Sequence, residues 1–385
     1  MDFSFTSDQL LIRDTVRQFM EAELRPKLRE YVRSETFPRE EIHKLGELGC
    51  CGMLIPEAWG GTGSDTVSYA LMIEEVARVD ASTSLVLAVT NSVAAVPLAK
   101  YGSEAQKKKY LRRLATGEIL GSFCLTEPGA GSDSAAIQAR AVREGPSYIL
   151  DGTKCWVTNG DVAGVFLVFA KTDPAAGARG ITAFLVEPGS PAFRISRHED
   201  KMGMRLSRSV EVVFEGCRVP AENRLGEEGQ GLKIALETLD GGRIGIAAQG
   251  VGLAQGALEA SVRYAKQRKT FGKPIAERQA IQWMLADMQT EIEAGRALTL
   301  YAAWARDHGG QKLGAWASRA KLYASEMVNR VAYKAVQVHG SQGYSRESDV
   351  ERYYRDARVI SIYEGTSEMQ RVVIARDLLG TRGER

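Results

Sequence analysis

The residue types able to do chemistry fall in a few short segments. Thr126-Glu127-Pro128-Gly129-Ala130-Gly131-Ser132-Asp133 sets glycines between hydroxyl side chains. Glycine lets a backbone approach a ligand closely, and Thr126 and Ser132 offer hydroxyls. Composition alone favours a surface turn here. The segment is not a dinucleotide-binding loop, because a β-unit follows it rather than a helix. In Trp156-Val157-Thr158-Asn159-Gly160, a Trp at a strand end can stack on a planar ligand, with a hydroxyl two residues on facing the same side. Its plainer reading is a core Trp before a turn. Asp240-Gly241-Gly242-Arg243 interrupts a helical stretch. Each glycine there costs about 1 kcal/mol relative to Ala, which fits either a ligand or backbone approach, with Arg243 as an anion or amide contact, or a simple kink. Tyr363-Glu364-Gly365-Thr366-Ser367-Glu368 precedes the last helix. Thr366 is a natural N-cap. Glu364 is either an ordinary loop carboxylate or a base on a Gly-flanked loop that enters a closed cavity.

Other chemistries are excluded. The four histidines, His43, His198, His308 and His339, are scattered without metal-ligand spacing. The five cysteines, Cys50, Cys51, Cys124, Cys155 and Cys217, are odd in number and contain no Cys-x-x-Cys, which fits a reduced compartment. No metal is expected. Gly250 to Gly256 has the wrong spacing for a nucleotide loop and lies in a helical pattern, so close helix packing is the better reading. Lys plus Arg is 50 and Asp plus Glu is 48, so neither nucleic acid nor an anionic membrane is an expected partner. We read no apolar run approaching the roughly 20 residues of a membrane span, and no secretory signal at Met1-Asp2-Phe3-Ser4.

The elements that must position these segments follow from periodicity. At 385 residues the chain has room for two to three domains. Residues 1–120 read as helices: one with Ser7 as N-cap, one opened by Pro38 and ending near Gly49, one over Thr66 to Val79, a buried one over Ser84 to Ala99, and a solvated one over Ser103 to Ala115. Residues 121–226 carry short apolar runs broken by turn residues, which predicts packed antiparallel strands. Residues 227–385 return to the helical period, with long helices from Gly231 towards Arg268, over Ala280 to Arg306, Lys312 to Val338 and Thr366 to Leu379. The expected fold is α+β: an N-terminal helical domain, a middle antiparallel β domain and a C-terminal four-helix bundle.

Taken together the segments resemble the acyl-CoA dehydrogenase family over nearly the whole chain. The matching blocks run from Phe123 to Asp133, Trp156 to Gly160, Asp200 to Arg205, Leu239 to Ala247, Arg268 to Gly272 and Ile362 to Glu368. The resemblance implies FAD held between the middle domain and the bundle. By position, Phe123, Thr126 and Ser132 match flavin contacts, Trp156 and Thr158 match the pair flanking the isoalloxazine, and Thr366 and Glu368 match further FAD contacts. Arg268, Phe271, Gln279, Gln337 and Gly340 match positions that reach FAD across a subunit interface. Ser132, Asp240, Arg243, Tyr363 and Gly365 match the substrate side. Two residues depart from the family pattern: Ser341 replaces a usual glycine, and Leu206 follows Arg205 where short-chain relatives often have Gly.

The implied reaction is α,β-dehydrogenation of an acyl-CoA thioester to a trans-2-enoyl-CoA. Glu364 would remove the α-proton and the β-hydrogen would leave as hydride to flavin N5. Some relatives place the base immediately before the arginine matching Arg243. Here that position is Gly242, which leaves Glu364 as the candidate at either location. The resemblance also implies an acyl-CoA substrate of about four to eight carbons, re-oxidation by an electron-transferring flavoprotein, and a homotetramer built as a dimer of dimers. The location is cytoplasmic for a bacterial chain or the mitochondrial matrix for a processed eukaryotic one, the cytoplasm being favoured. An acyl-CoA oxidase and a non-catalytic acyl-CoA-binding relative are the alternatives.

Overall fold

A computed structural model describes residues 4–309 and 312–381. The N-terminal helices are α1 (Ser7–Phe19), α2 (Arg25–Ser34), α3 (Arg39–Glu47), α4 (Thr66–Val79), α5 (Ala81–Tyr101) and α6 (Glu104–Ala115). The first N-cap is Thr6 rather than Ser7, because Gln9 stands three residues on and closes a capping box with it. α2 continues α1 through a π-helical stretch over Met20–Leu24. α5 begins earlier than Ser84, at Ala81, because Asp80 caps it through Thr83 N at 2.7 Å. α5 also corrects the expectation that no apolar run reaches membrane length. It is 21 residues long and apolar enough to span, yet 94% of its apolar window is buried inside this protein. It is a core helix, with a π-helical stretch over Val89–Ala95.

The middle region forms one sheet from β1 (Leu120–Cys124), β2 (Arg140–Glu144), β3 (Ser147–Thr158), β4 (Ala163–Lys171), β5 (Ile181–Val186), β6 (Phe193–His198), β7 (Ser209–Pro220) and β8 (Arg224–Leu225). The order is β6-β7-β3-β2-β4-β5-β8, with β1 beside β4. The pairing is antiparallel except that β1 runs parallel to β4, and β2 meets β4 at one parallel bridge. β1 can be parallel because β2 and β3 intervene between it and β4 in the chain.

The last region comprises α7 (Gly231–Gln267), α8 (Gln279–Asp307), α9 (Leu313–His339), α10 (Asp349–Ile360) and α11 (Ser367–Leu379). α10 is an addition to the expected four helices. One core joins this bundle to the N-terminal helices, with Tyr69, Ile73 and Val76 of α4 packed with Ile244, Val251 and Ala324. The close-packing reading of the α7 glycines holds: a Cβ at Gly252 or Gly256 would strike the carbonyl of Glu74 or Arg78, and one at Gly250 would stand 3.2 Å from Ala324 O. The doublet Gly241-Gly242 makes no break, since α7 is helical through it.

Candidate active site

Glu364 stands in the turn between α10 and α11. Its φ is +50° and that of Gly365 is +91°, and such left-handed backbone at a non-glycine residue costs of order 1–3 kcal/mol. The turn is over-determined. Lys321 Nζ and Gln370 Nε2 both donate to Gly365 O at 2.8 Å. Thr366 Oγ1 accepts from Met369 N at 3.3 Å and caps α11, as expected. Tyr363 donates its hydroxyl to Gln249 of α7. The strain therefore aims one side chain, and that side chain is the carboxylate.

Glu364 as a residue is only partly buried, but its Oε2 is inaccessible and has no hydrogen-bond partner. Burial pushes its pKa up to about 7, against the pull of Lys321 and Arg243. Gly242 lies directly beneath: a Cβ there would stand 3.0 Å from Glu364 Cδ and closer still to Oε2. The helix position before Arg243 and the loop position 364 thus open on the same point in space. Lys321, which sequence reading missed, is fully buried, and burial lowers it to about 8 while Glu364 pulls it up. A lysine facing inward among Ala317, Ala320 and Ala324 was the available signal.

Asp240 and Arg243 are placed together, Arg243 Nη1 donating to Asp240 Oδ1 at 2.5 Å and to Ser318 Oγ at 3.3 Å. Arg243 is buried and its Nε has no partner. Burial raises Asp240, with Arg243 opposing. Leu206 is buried in the core, and Ser341 is exposed.

On the sheet, the Thr126 segment is a turn, closed by the Glu127–Ala130 bridge. Glu127 is buried in an ion pair with Lys154 (2.7 Å) and accepts from the backbone N–H of Gln138 and Ala139. The turn is tied to β3 by Cys155 N donating to Thr126 O at 3.0 Å. An added Cβ at Gly129 or Gly131 would meet nothing within 4 Å, and Ser132 is exposed. Trp156 is 58% exposed with φ +58°, where the β3–β7 register shifts between Lys154 and Val157. This bulge turns the indole outward, so the core reading of Trp156 fails. Thr158 is partly exposed nearby on the strand. Phe123 packs its ring on Phe169 at 5.0 Å.

Arg268, Phe271, Gln279, Gln337 and Gly340 are all exposed at one end of the bundle, gathered by a small core of Ala265, Ile275 and Val338. Phe271 is 97% exposed at the tip of the hairpin Lys269–Thr270 and Lys273–Pro274. Among the described residues no hydrogen bond or ion pair joins this group to Thr126 or Trp156. At the start of α11, Thr366, Ser367 and Glu368 line a cavity of about 340 Å³ with Asn329 and Arg358. A second cavity, about 330 Å³ beside His43 and Glu118, shares no residue with these groups. No cluster of metal-ligating side chains occurs among the described residues.

The chain is similar to known proteins over nearly its whole length. The chain is 44% identical over 381 residues to acryloyl-CoA reductase (NADH) of Anaerotignum propionicum, covering 98% of this chain and 96% of that one. It is 44% identical over 375 residues to the short-chain specific acyl-CoA dehydrogenase of Clostridium acetobutylicum, covering 97% and 99%. The solved structure of butyryl-CoA dehydrogenase from Megasphaera elsdenii superposes with a TM-score of 0.96 at 44% identity, covering 98% and 100%. Models of the acyl-CoA dehydrogenase N-terminal, middle and C-terminal domains match residues 6–118, 122–217 and 229–379 in turn. With its helical, sheet and helical regions in that order, the chain belongs to the acyl-CoA dehydrogenase family.

Proposed function

We propose that the protein is an FAD-dependent acyl-CoA dehydrogenase in which Glu364 removes the α-proton of the thioester. The observation that carries this reading is the buried, unpartnered Glu364 Oε2, held on a strained turn above Gly242. An α-proton beside a thioester is too weakly acidic for a carboxylate in water. A base raised to about 7 by burial is better matched to it. The N–H groups of the turn are candidate donors to the thioester oxygen as it becomes enolate-like.

The residues present fit FAD. Gly129 and Gly131 leave their turn open to close approach, Trp156 offers an exposed aromatic face, and Thr126, Ser132 and Thr158 offer hydroxyls. Thr366 and Glu368 sit beside the cavity at the start of α11. FAD, when bound, supplies the two-electron acceptor that makes loss of the β-hydrogen possible. Arg268, Phe271, Gln279, Gln337 and Gly340 would hold the FAD of a neighbouring subunit, because they are exposed together at the end of the bundle. The proposed assembly is a homotetramer made of two dimers, and the proposed electron acceptor is an electron-transferring flavoprotein. The domains follow the three textures of the sequence, 1–120, 121–226 and 227–385.

Glu364→Gln keeps size and polarity but cannot accept a proton. Flavin reduction by saturating acyl-CoA, followed anaerobically by stopped flow, should slow by roughly 10²–10⁴-fold. Exchange of the α-proton into deuterated water should fall in parallel. Near wild-type rates in both assays would move the base to another carboxylate.

A further inference from the structure

Glu364 is one of three buried polar groups without hydrogen-bond partners that open on the same stretch of α7. Beside Glu364 Oε2, they are the Tyr69 hydroxyl and Arg306 Nη1. A Cβ at Gly245 would stand 2.5 Å from Tyr69 Oη, and one at Gly241 would stand 2.6 Å from Arg306 Nη1. Positions 241 and 245 lie one above the other on a helix, with 242 beside them. The glycines therefore make room for Arg306, Glu364 and Tyr69 in turn.

Tyr69 is fully buried, at the centre of the core that joins α4 to α7. Ser92 beside it donates its own hydroxyl proton to Ala88 O at 2.6 Å. Among the described residues no carboxylate forms an ion pair with Arg306. Asp240 is taken up by Arg243 at 2.5 Å, and Asp307 turns away to bind Thr66 N and Thr66 Oγ1, both at 2.6 Å. Burial pulls the Arg306 pKa below its ordinary value, against the more distant Tyr69, Asp307 and Asp240. A guanidinium is always charged, and leaving its Nη1 donor buried and unsatisfied is costly. Two unsatisfied donors facing positions one helical turn apart, one of them cationic, are the complement of a carboxylate.

We infer that the far end of the acyl site binds a carboxylate through Arg306 and Tyr69, so that the preferred substrate is the CoA thioester of a short dicarboxylic acid. The inference rests on the proposed dehydrogenase reading and names its substrate class. Glu364 faces position 242, adjacent to the 241 that faces Arg306 and three residues from the 245 that faces Tyr69, so all three open within about one helical turn. A short acyl chain with a terminal carboxyl would span these neighbouring positions. Val93, whose Cγ1 would stand 3.2 Å from a Cβ at Gly242, supplies an apolar wall for the methylenes between.

The test compares chains of equal length on the FAD-loaded enzyme. Flavin reduction should show kcat/KM at least about tenfold higher for glutaryl-CoA than for pentanoyl-CoA, and likewise for adipyl-CoA over hexanoyl-CoA. Arg306→Met should lower that ratio by at least about tenfold, Tyr69→Phe should lower it less, and Arg306→Lys should fall between wild type and Arg306→Met. A wild-type ratio that favours the uncharged chains, or a ratio that Arg306→Met leaves unchanged, overturns the inference. Should no acyl-CoA of either kind reduce the flavin, the failure belongs to the dehydrogenase reading. Calorimetric titration of the same holoenzyme with glutaryl-CoA and pentanoyl-CoA then decides, tighter glutaryl-CoA binding supporting the inference and equal or weaker binding overturning it.

Discussion

Gly242→Ala should disable the site without unfolding the protein. The added Cβ would stand 3.0 Å from Glu364 Cδ and nearer still to Oε2, with Val93 Cγ1 at 3.2 Å. Comfortable carbon contacts begin near ~3.5 Å, so the carboxyl must withdraw by roughly 1 Å, because Val93 and α7 itself leave the methyl nowhere to go. Gly365 and Thr366 are pinned by Lys321, Gln370 and the α11 cap, so the movement falls on the Glu364 side chain. A misplacement of about 1 Å at a reacting group costs on the order of 10²-fold in rate. Against this, replacing glycine by alanine inside a helix contributes about 0.8–1 kcal/mol of stability, which offsets the clash. The expected result is flavin reduction slowed about 10²-fold, with flavin content and Tm close to wild type. A variant that reduces flavin within about threefold of wild type would mean that Glu364 works from a position other than the one above Gly242.

Glu364 should also govern the pH response. With its pKa near 7, kcat/KM for flavin reduction should rise with pH through about 7 as the carboxylate forms, a limb that Glu364→Gln abolishes. Its raised pKa makes the folded protein hold a proton that the unfolded chain releases. That contribution to stability is full below about 4.5 and is lost as pH rises through about 7, so the fall in Tm over this window should be shallower in Glu364→Gln. Glu127→Ala should cost about 3–5 kcal/mol, because it strands the fully buried Lys154 and frees the Thr126 turn. Thermal unfolding reads the loss directly, and a Tm within a degree or two of wild type would contradict it. Arg268→Glu should weaken flavin retention and oligomerisation together. Size-exclusion chromatography with in-line absorbance checks this, and an FAD-saturated monomer would contradict the proposed sharing of the cofactor.

What was legible in the sequence was whatever repeats along the chain. Ile181–Val186 and Thr66–Val79 have the bounds that period alone predicts, and α7 ends one residue from its expected limit. α10 was missed although Val350, Tyr353, Ala357 and Ile360 form an apolar stripe at helical spacing. Arg352 and Asp356 interrupt that stripe, and both are buried, Arg352 pairing with Asp80 and Asp356 accepting from Met204 N at 2.6 Å. A charge that folding buries reads, in one dimension, as a charge in water. The same ambiguity hid Lys321 and Arg306, while Glu364 was visible only because its flanking Gly365 and Thr366 mark a special turn. The glycines of α7 complete the argument. Gly241, Gly242 and Gly245 each sacrifice helix propensity, yet the helix runs through them unbroken because it is buried on α4, α5 and α9. Tertiary packing thus bears a local cost that no isolated helix would tolerate. The space released is occupied by a guanidinium, a carboxylate and a phenol hydroxyl from three other elements, none of them near α7 in sequence. Propensity and function disagree at these positions, and the disagreement is what marks the site.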